Sequence, residues 1–300
     1  MRRRPFLRTL STLTASAVGL TILNPFEVGR AVGSVYRTRL TETPSGPPDS
    51  PLANGSRRLQ DGVYRLSYEW RDHRARQWHV DFAVDQTAYT DAEARSWGYL
   101  QAFRAARTNS HASRLGKQLA DATVEYRSSV AVDSLTAADR LERAVRFVAG
   151  LEYVVDPDSK GIPEYHRLPE ETLVDGRGDC KDLTYLLAGM LSQPPFGYRT
   201  AMVLLPEHML VGVHHADLPV GYADAPRLPD GEHVAIESTS ARPIGTFRDE
   251  PVLAIYDGGF RYVDHAAVAE TTGQFLRDPT SFEVVANART VPQNRPTFGR

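Results

Sequence analysis

Large apolar and polar residues alternate along Tyr64-Arg65-Leu66-Ser67-Tyr68-Glu69-Trp70 and again along Trp78-His79-Val80-Asp81-Phe82-Ala83-Val84. A period of two marks a strand with one buried face, and the charged run RDHRAR between the segments predicts a hairpin. Over residues 91–107 and 111–121 the apolar positions recur instead at spacings of three and four, which predicts helices. A further helix is expected over 136–148, with Leu141, Val145 and Val148 on one face and Thr136 and Asp139 as an N-terminal capping signature. A polar loop is expected over 156–167. Residues 179–192 then place Leu183, Leu186, Leu187, Met190 and Leu191 at helical spacing, and Pro194-Pro195 ends that run. Short β-type runs follow at 200–205, 208–213, 233–238, 252–256 and 260–264, the last two around a Gly258-Gly259 turn, with a final strand expected at 282–286. An α+β architecture is expected.

Composition narrows the functional classes. The 300 residues are 41% hydrophobic, enough for one large domain or a core with a smaller partner. A formal charge of -2, with no Lys/Arg block beyond the first eight residues, leaves no electrostatic footprint for nucleic acid. The basic residues are almost all arginine, the only lysines being Lys117, Lys160 and Lys181. Cys180 is the single cysteine, so an intrachain disulfide and a cysteine-rich zinc site are both excluded. It is either a buried small hydrophobe or a working thiol.

The ends read differently from the middle. RRRPFLR at residues 2–8, followed by a moderately apolar stretch at 9–23, resembles a twin-arginine signal, and Ala31-Val32-Gly33 offers a small-residue cleavage point. The apolar stretch is shorter than the roughly 20 residues that span a bilayer. Residues 1–33 are therefore expected to be a signal or, in the alternative, a membrane anchor, giving an exported protein that is extracellular or membrane-attached through its N-terminus. Dense Pro, Ser, Gly and Asn make 34–58 a disordered linker. An N-terminal β/α region at 59–125, a core at 126–289 and a disordered tail at 290–300 complete the expected organisation.

The chemistry gathers around Cys180. It falls in the first turn of the helix expected over 179–192, where unpaired N–H groups and the macrodipole favour an anion and hence a thiolate. Gly176 and Gly178 just before it permit a tight entry and close approach. A thiol nucleophile needs a base and an orienting acceptor from other elements, and His208 and Glu237, on successive predicted strands, meet that need.

The run Glu171-Thr172-Leu173-Val174-Asp175-Gly176-Arg177-Gly178-Asp179-Cys180-Lys181-Asp182, then Pro206-Glu207-His208-Met209, then Ile236-Glu237-Ser238-Thr239, resembles the transglutaminase-like cysteine superfamily. Its exported prokaryotic and archaeal members are the most similar. The likeness covers residues 140–247, with a weaker one at 64–89. It implies a papain-like transglutaminase core in which the cysteine-bearing helix packs on an antiparallel sheet. It also implies Cys180 as nucleophile, His208 as general base and then acid, and Glu237 as orienter of the imidazole, where the superfamily usually has Asp. The implied activity is a thiol-dependent amide hydrolase, peptidase-like, or an acyltransferase working through a cysteine thioester on a protein or peptide, without a cofactor. A non-catalytic binding or scaffolding module that retains the fold is the alternative. The Cys180 N–H is the first oxyanion donor expected, with Tyr165 or His166 as candidates for the second.

Other constellations have plainer readings. His214, His215, Asp217, Asp224 and His233 match no zinc spacing and read as a surface loop. Asp156, Asp158, Lys160 and Gly161 imitate the opening of a calcium loop, but Pro157 and Arg167 defeat it, and no metal is expected. Tyr64, Tyr68, Trp70, Trp78 and Phe82 read as sheet core.

Overall fold

The computed structural model describes residues 46–267 apart from 73, 96, 122–134, 163 and 265. Strands β1 (Gly55–Gln60), β2 (Val63–Arg71) and β3 (Gln77–Asp85) form an antiparallel sheet in that order. The alternation holds: Tyr64, Leu66, Tyr68 and Trp70 face inward beside Trp78, Val80, Phe82 and Val84. Between β2 and β3 the Asp72 carboxylate ties the turn, accepting from Arg74 N (2.9 Å), Arg76 N (3.0 Å) and Trp78 Nε1 (2.8 Å). Strand β1 begins inside the stretch expected to be structureless through residue 58. Its residues are extended because they pair with β2, not because of their own pattern, which is exposed almost throughout.

Four helices follow in two groups. The single helix expected over 91–107 is two, α1 (Gln86–Glu93) and α2 (Tyr99–Ala106), the second entered from Gly98. In α3 (Ser110–Ala120) the Asn109 side chain caps the first turn, and in α4 (Ala137–Ala149) the capping box of Thr136 and Asp139 is formed.

The segment expected as a polar loop contains a helical turn, α5 (Asp156–Ser159), and its Asp156 and Arg167 are fully buried. A short helix the periodicity did not predict, α6 (Pro169–Asp175), comes next. All seven of its residues are buried, so it carries no one-sided apolar stripe. Strand β4 (Glu152–Tyr153) pairs in parallel with β5 (Arg177–Gly178), which leads into α7 (Cys180–Leu191).

Helix α7 is the centre of the molecule. Every one of its residues is buried, as expected of a helix packed on all sides. Leu183, Leu186, Leu187, Met190 and Leu191 each contribute about 1.5–3 kcal/mol by leaving water. It packs on α2 and α3 and, opposite them, on the larger sheet. That sheet holds β6 (Thr200–Leu205), β7 (His208–His214), β8 (His233–Ile236), β9 (Ala254–Tyr256) and β10 (Phe260–Val263) in the order β10-β9-β6-β7-β8, antiparallel throughout. Met202, Leu204, Met209, Val211 and Val213 belong to the core shared with α7, while Ala201, Val203, Leu205 and Leu210 pack with Leu228, Val252 and Ile255 on the other face.

The architecture is thus α+β, with the cysteine-bearing helix packed on an antiparallel sheet. One apolar cluster joins the first sheet, the helices and the α7 face of the second sheet. The strand expected at 282–286, the leader at 1–33 and the tail at 290–300 lie outside the described residues. Among the described residues no helix is long and apolar enough to cross a membrane.

Candidate active site

The loop that delivers Cys180 is shaped by two glycines. Gly176 takes φ +69°, the left-handed conformation that closes α6, and a Cβ there would lie 2.4 Å from Leu52 Cδ2. A Cβ on Gly178 would lie 2.7 Å from Asp182 Cβ. The β4–β5 pairing holds this loop, with Glu152 N donating to Gly176 O (3.1 Å) and Val154 N to Gly178 O (3.0 Å). Asp179 then caps α7 by accepting from Lys181 N (3.1 Å) and Asp182 N (3.3 Å). Cys180 is the first residue of the helix and is 2% exposed.

Beside that first turn lies a buried ionic network that sequence reasoning missed. Lys181 Nζ is 2.6 Å from Asp156 Oδ2 and also bonds Asp179 Oδ2. Arg167 reaches Asp182 at 2.8 Å, Asp156 at 3.2 Å and Asp175 at 3.3 Å. None of these six residues is more than 2% exposed. Burial alone would lower the pKa of Arg167 and Lys181, but the facing carboxylates overcome it and hold both cations charged, well above their ordinary values. Oxygens of Asp156, Asp179 and Asp182 lie within 4.8 Å of one another, an arrangement able to ligate a cation, and here they face the ammonium of Lys181 and the guanidinium of Arg167. The available signal was Lys181 itself, one of three lysines in an arginine-rich chain.

His208 opens β7, and Glu237 follows the last residue of β8. The β7–β8 register, which pairs Val211 with Ile236, sets both at one end of the sheet. His208 Nε2 lies 2.8 Å from Glu237 Oε2 and 3.0 Å from Oε1. Glu237 Oε1 also accepts from Thr239 N (2.9 Å) and Thr239 Oγ1 (2.8 Å). Burial pushes the Glu237 carboxyl up, but the bonds from His208 and Thr239 outweigh it and hold the group below its ordinary value. In the neutral tautomer that fits an ionised carboxylate, Nε2 is the donor and the ring lone pair sits on Nδ1.

Thr184 relates these residues to the helix. Its Oγ1 donates to Met209 O (3.2 Å) and lies 3.0 Å from Ser238 Oγ. Met209 follows His208, Ser238 follows Glu237, and Thr184 stands one helical turn after Cys180 on the same face. The structure therefore brings His208 and Glu237 into direct contact and sets Cys180 at their end of the sheet. Thr184, Ser238 and Thr239 were not singled out from sequence, although the last two stand in the motif around Glu237.

The candidates for a second oxyanion donor are already engaged. The Tyr165 hydroxyl donates to Glu171 Oε1 at 2.5 Å, while His166 has Tyr185 Oη 3.2 Å from Nδ1 and Glu164 Oε1 3.5 Å from Nε2. The histidine-rich segment also has local partners: His214 accepts from Ala216 N, His215 lies 3.0 Å from Glu232 O, Asp217 pairs with Arg199 at 2.8 Å and His233 with Asp230 at 2.6 Å.

No family model and no curated protein sequence matches this chain. Among solved structures, LapG of Legionella pneumophila aligns in its calcium-bound form over 60% of this chain and 99% of LapG, at 15% identity and a TM-score of 0.32. LapG in its EGTA-treated form aligns over 61% of this chain and 99% of its own length, with the same identity and TM-score. A likeness this loose transfers no residue roles, and the chemistry of the site rests on its own geometry.

Proposed function

We propose that the protein is a thiol-dependent amide hydrolase or acyltransferase in which Cys180 is the nucleophile, His208 the base and Glu237 the orienting acid. The observation that carries this reading is the buried His208–Glu237 contact, which occupies Nε2 and supports Nδ1 as the base, at the end of the sheet where α7 begins with Cys180. The resemblance of the three sequence blocks to the transglutaminase-like superfamily supports the same assignment.

In the proposed reaction His208 takes the thiol proton, and the Cys180 sulfur attacks an amide carbonyl of a protein or peptide. His208 then protonates the departing amine, leaving a thioester that water or a second amine resolves. Glu237 stabilises the imidazolium formed between those steps. These steps use the three side chains and no cofactor. The twin-arginine-like leader supports an exported protein.

A second reading, a non-catalytic module retaining the fold, is favoured by the burial of Cys180 and His208, 2% and 3% exposed. Iodoacetamide labelling against pH separates the two, since Cys180 is the only thiol. An activated nucleophile labels rapidly at neutral pH and slows in His208→Ala. A rate that rises only above about pH 8, equal in both proteins, would indicate an ordinary thiol and reject the enzyme.

A further inference from the structure

Away from Cys180, positive charge collects on the outward face of the first sheet. The β1–β2 register sets Arg58 directly opposite Arg65, and both are exposed. Like charges in directly opposed positions weaken a strand pair. Among the described residues neither has an ion-pair partner. Lys117 and Arg114 of α3 add two exposed cations on the β3 side. Arg114 is fixed there, Nη2 donating to Ala83 O at 3.0 Å with its guanidinium 5.1 Å from the centre of the Phe82 ring. Half-buried Arg57, paired with the inward-facing Leu66, belongs to the other face and only borders the same space, its Nη1 donating to Val174 O at 2.7 Å. Together these residues line an open groove of 780 Å³. Its one acidic lining residue among those described is Asp81, which lies 3.2 Å from His79 Nε2.

Charges on an edge strand such as β1 can serve only to repel a foreign strand. That does not account for Arg65, which belongs to the central strand, or for Lys117 and Arg114, which belong to a helix. We propose that this groove binds an acidic stretch of polypeptide, its carboxylates facing Arg58, Arg65 and Lys117. A nucleic acid fits less well. The outward rows Ser56, Ser67, Asp81 and Arg58, Arg65, Ala83 present no aromatic face on which a base could stack, and Arg114 covers Phe82. The inference needs the groove alone and is independent of the reaction at Cys180.

The test is fluorescence anisotropy of a labelled oligoglutamate peptide with the full chain, with Cys180→Ala, with the double variant Arg58→Glu/Arg65→Glu, and with Lys117→Glu. Wild type and Cys180→Ala are expected to bind alike. Each charge-reversed protein is expected to bind about tenfold or more weakly, and added salt to weaken wild-type binding. Lys117→Glu lies on an exposed helix position and decides the matter if the double variant does not fold. The proposal is overturned if oligoglutamate does not bind, if charge reversal leaves its affinity unchanged, or if an oligonucleotide of equal charge binds more tightly.

Discussion

Thr184 Oγ1 lies 3.0 Å from Ser238 Oγ and 3.2 Å from Met209 O, so one hydroxyl on the Cys180 helix touches the residues that follow both Glu237 and His208. A threonine has a single hydroxyl proton. Thr184 gives it to the Met209 carbonyl, and Ser238 donates to Thr184 in turn. The helix is thereby clasped to two strands one turn from Cys180. Thr184→Val keeps the shape and removes the clasp, leaving a buried carbonyl with one partner fewer. Denaturant unfolding should show a loss of about 1 kcal/mol, and iodoacetamide should label Cys180 more slowly at neutral pH. Thr184→Ser should restore the labelling rate. A Thr184→Val protein that labels like wild type would make the clasp purely structural.

Glu237→Gln tests the proposal that His208 acts as base through Nδ1. The glutamine oxygen can still accept from Thr239, but its amide nitrogen then turns toward His208 Nε2 and donates to it. The ring proton moves to Nδ1, the nitrogen assigned to take the thiol proton. Nitrogen-15 spectra of the ring should report the tautomer change, and labelling of Cys180 at neutral pH should fall by on the order of tenfold or more. Glu237→Asp retains the charge at a shorter reach and should lose less. An unchanged tautomer in Glu237→Gln would reject the orienting role proposed for Glu237.

What the sequence made legible were the elements whose signal is local. Tyr64 to Trp70 alternate within one strand, and the leucines of α7 repeat within one helix. Strand β1 has no such signal, being a strand only through its pairing with β2. Polarity also misled. Asp156 and Arg167 read as a solvated loop because they are charged, yet each is buried by partners distant in sequence, Lys181 lying 25 residues from Asp156 and Asp182 lying 15 from Arg167. His208 and Glu237 were legible as members of sequence blocks. The roles of Thr184 and Thr239 depend on acceptors that only the folded chain identifies.

Glu171 predicts a pH dependence of stability unrelated to the proposed triad. Burial raises its carboxyl from 4.5 to about 8, against the weaker opposing effects of Lys160 and the Tyr165 hydrogen bond. The folded protein therefore holds a proton that the unfolded chain releases above about pH 4.5. Its contribution to stability is fully present below that value and is lost as pH rises toward about 8. Melting curves from pH 5 to about 9 should show a decline that is flatter in Glu171→Gln, with the variant gaining relative to wild type at the alkaline end. Parallel curves for the two proteins would show that Glu171 is already ionised in the fold.

Lys181 supplies the last prediction, because its ammonium is a cation the acidic cluster already contains. Asp156 and Asp179 face Lys181, Asp182 faces Arg167, and all are buried. Lys181→Met keeps the length of the side chain and removes its charge, leaving Asp179 without the ion pair that offsets its desolvation. Breaking one partner of a buried pair costs about 3–5 kcal/mol, so the variant should melt well below wild type. In the wild type, Lys181 and Arg167 face the oxygens a cation would need. EDTA should therefore leave both the melting temperature and the Cys180 labelling rate unchanged. A fall in either on chelation, reversed by added calcium, would mean that an ion and not Lys181 completes the cluster.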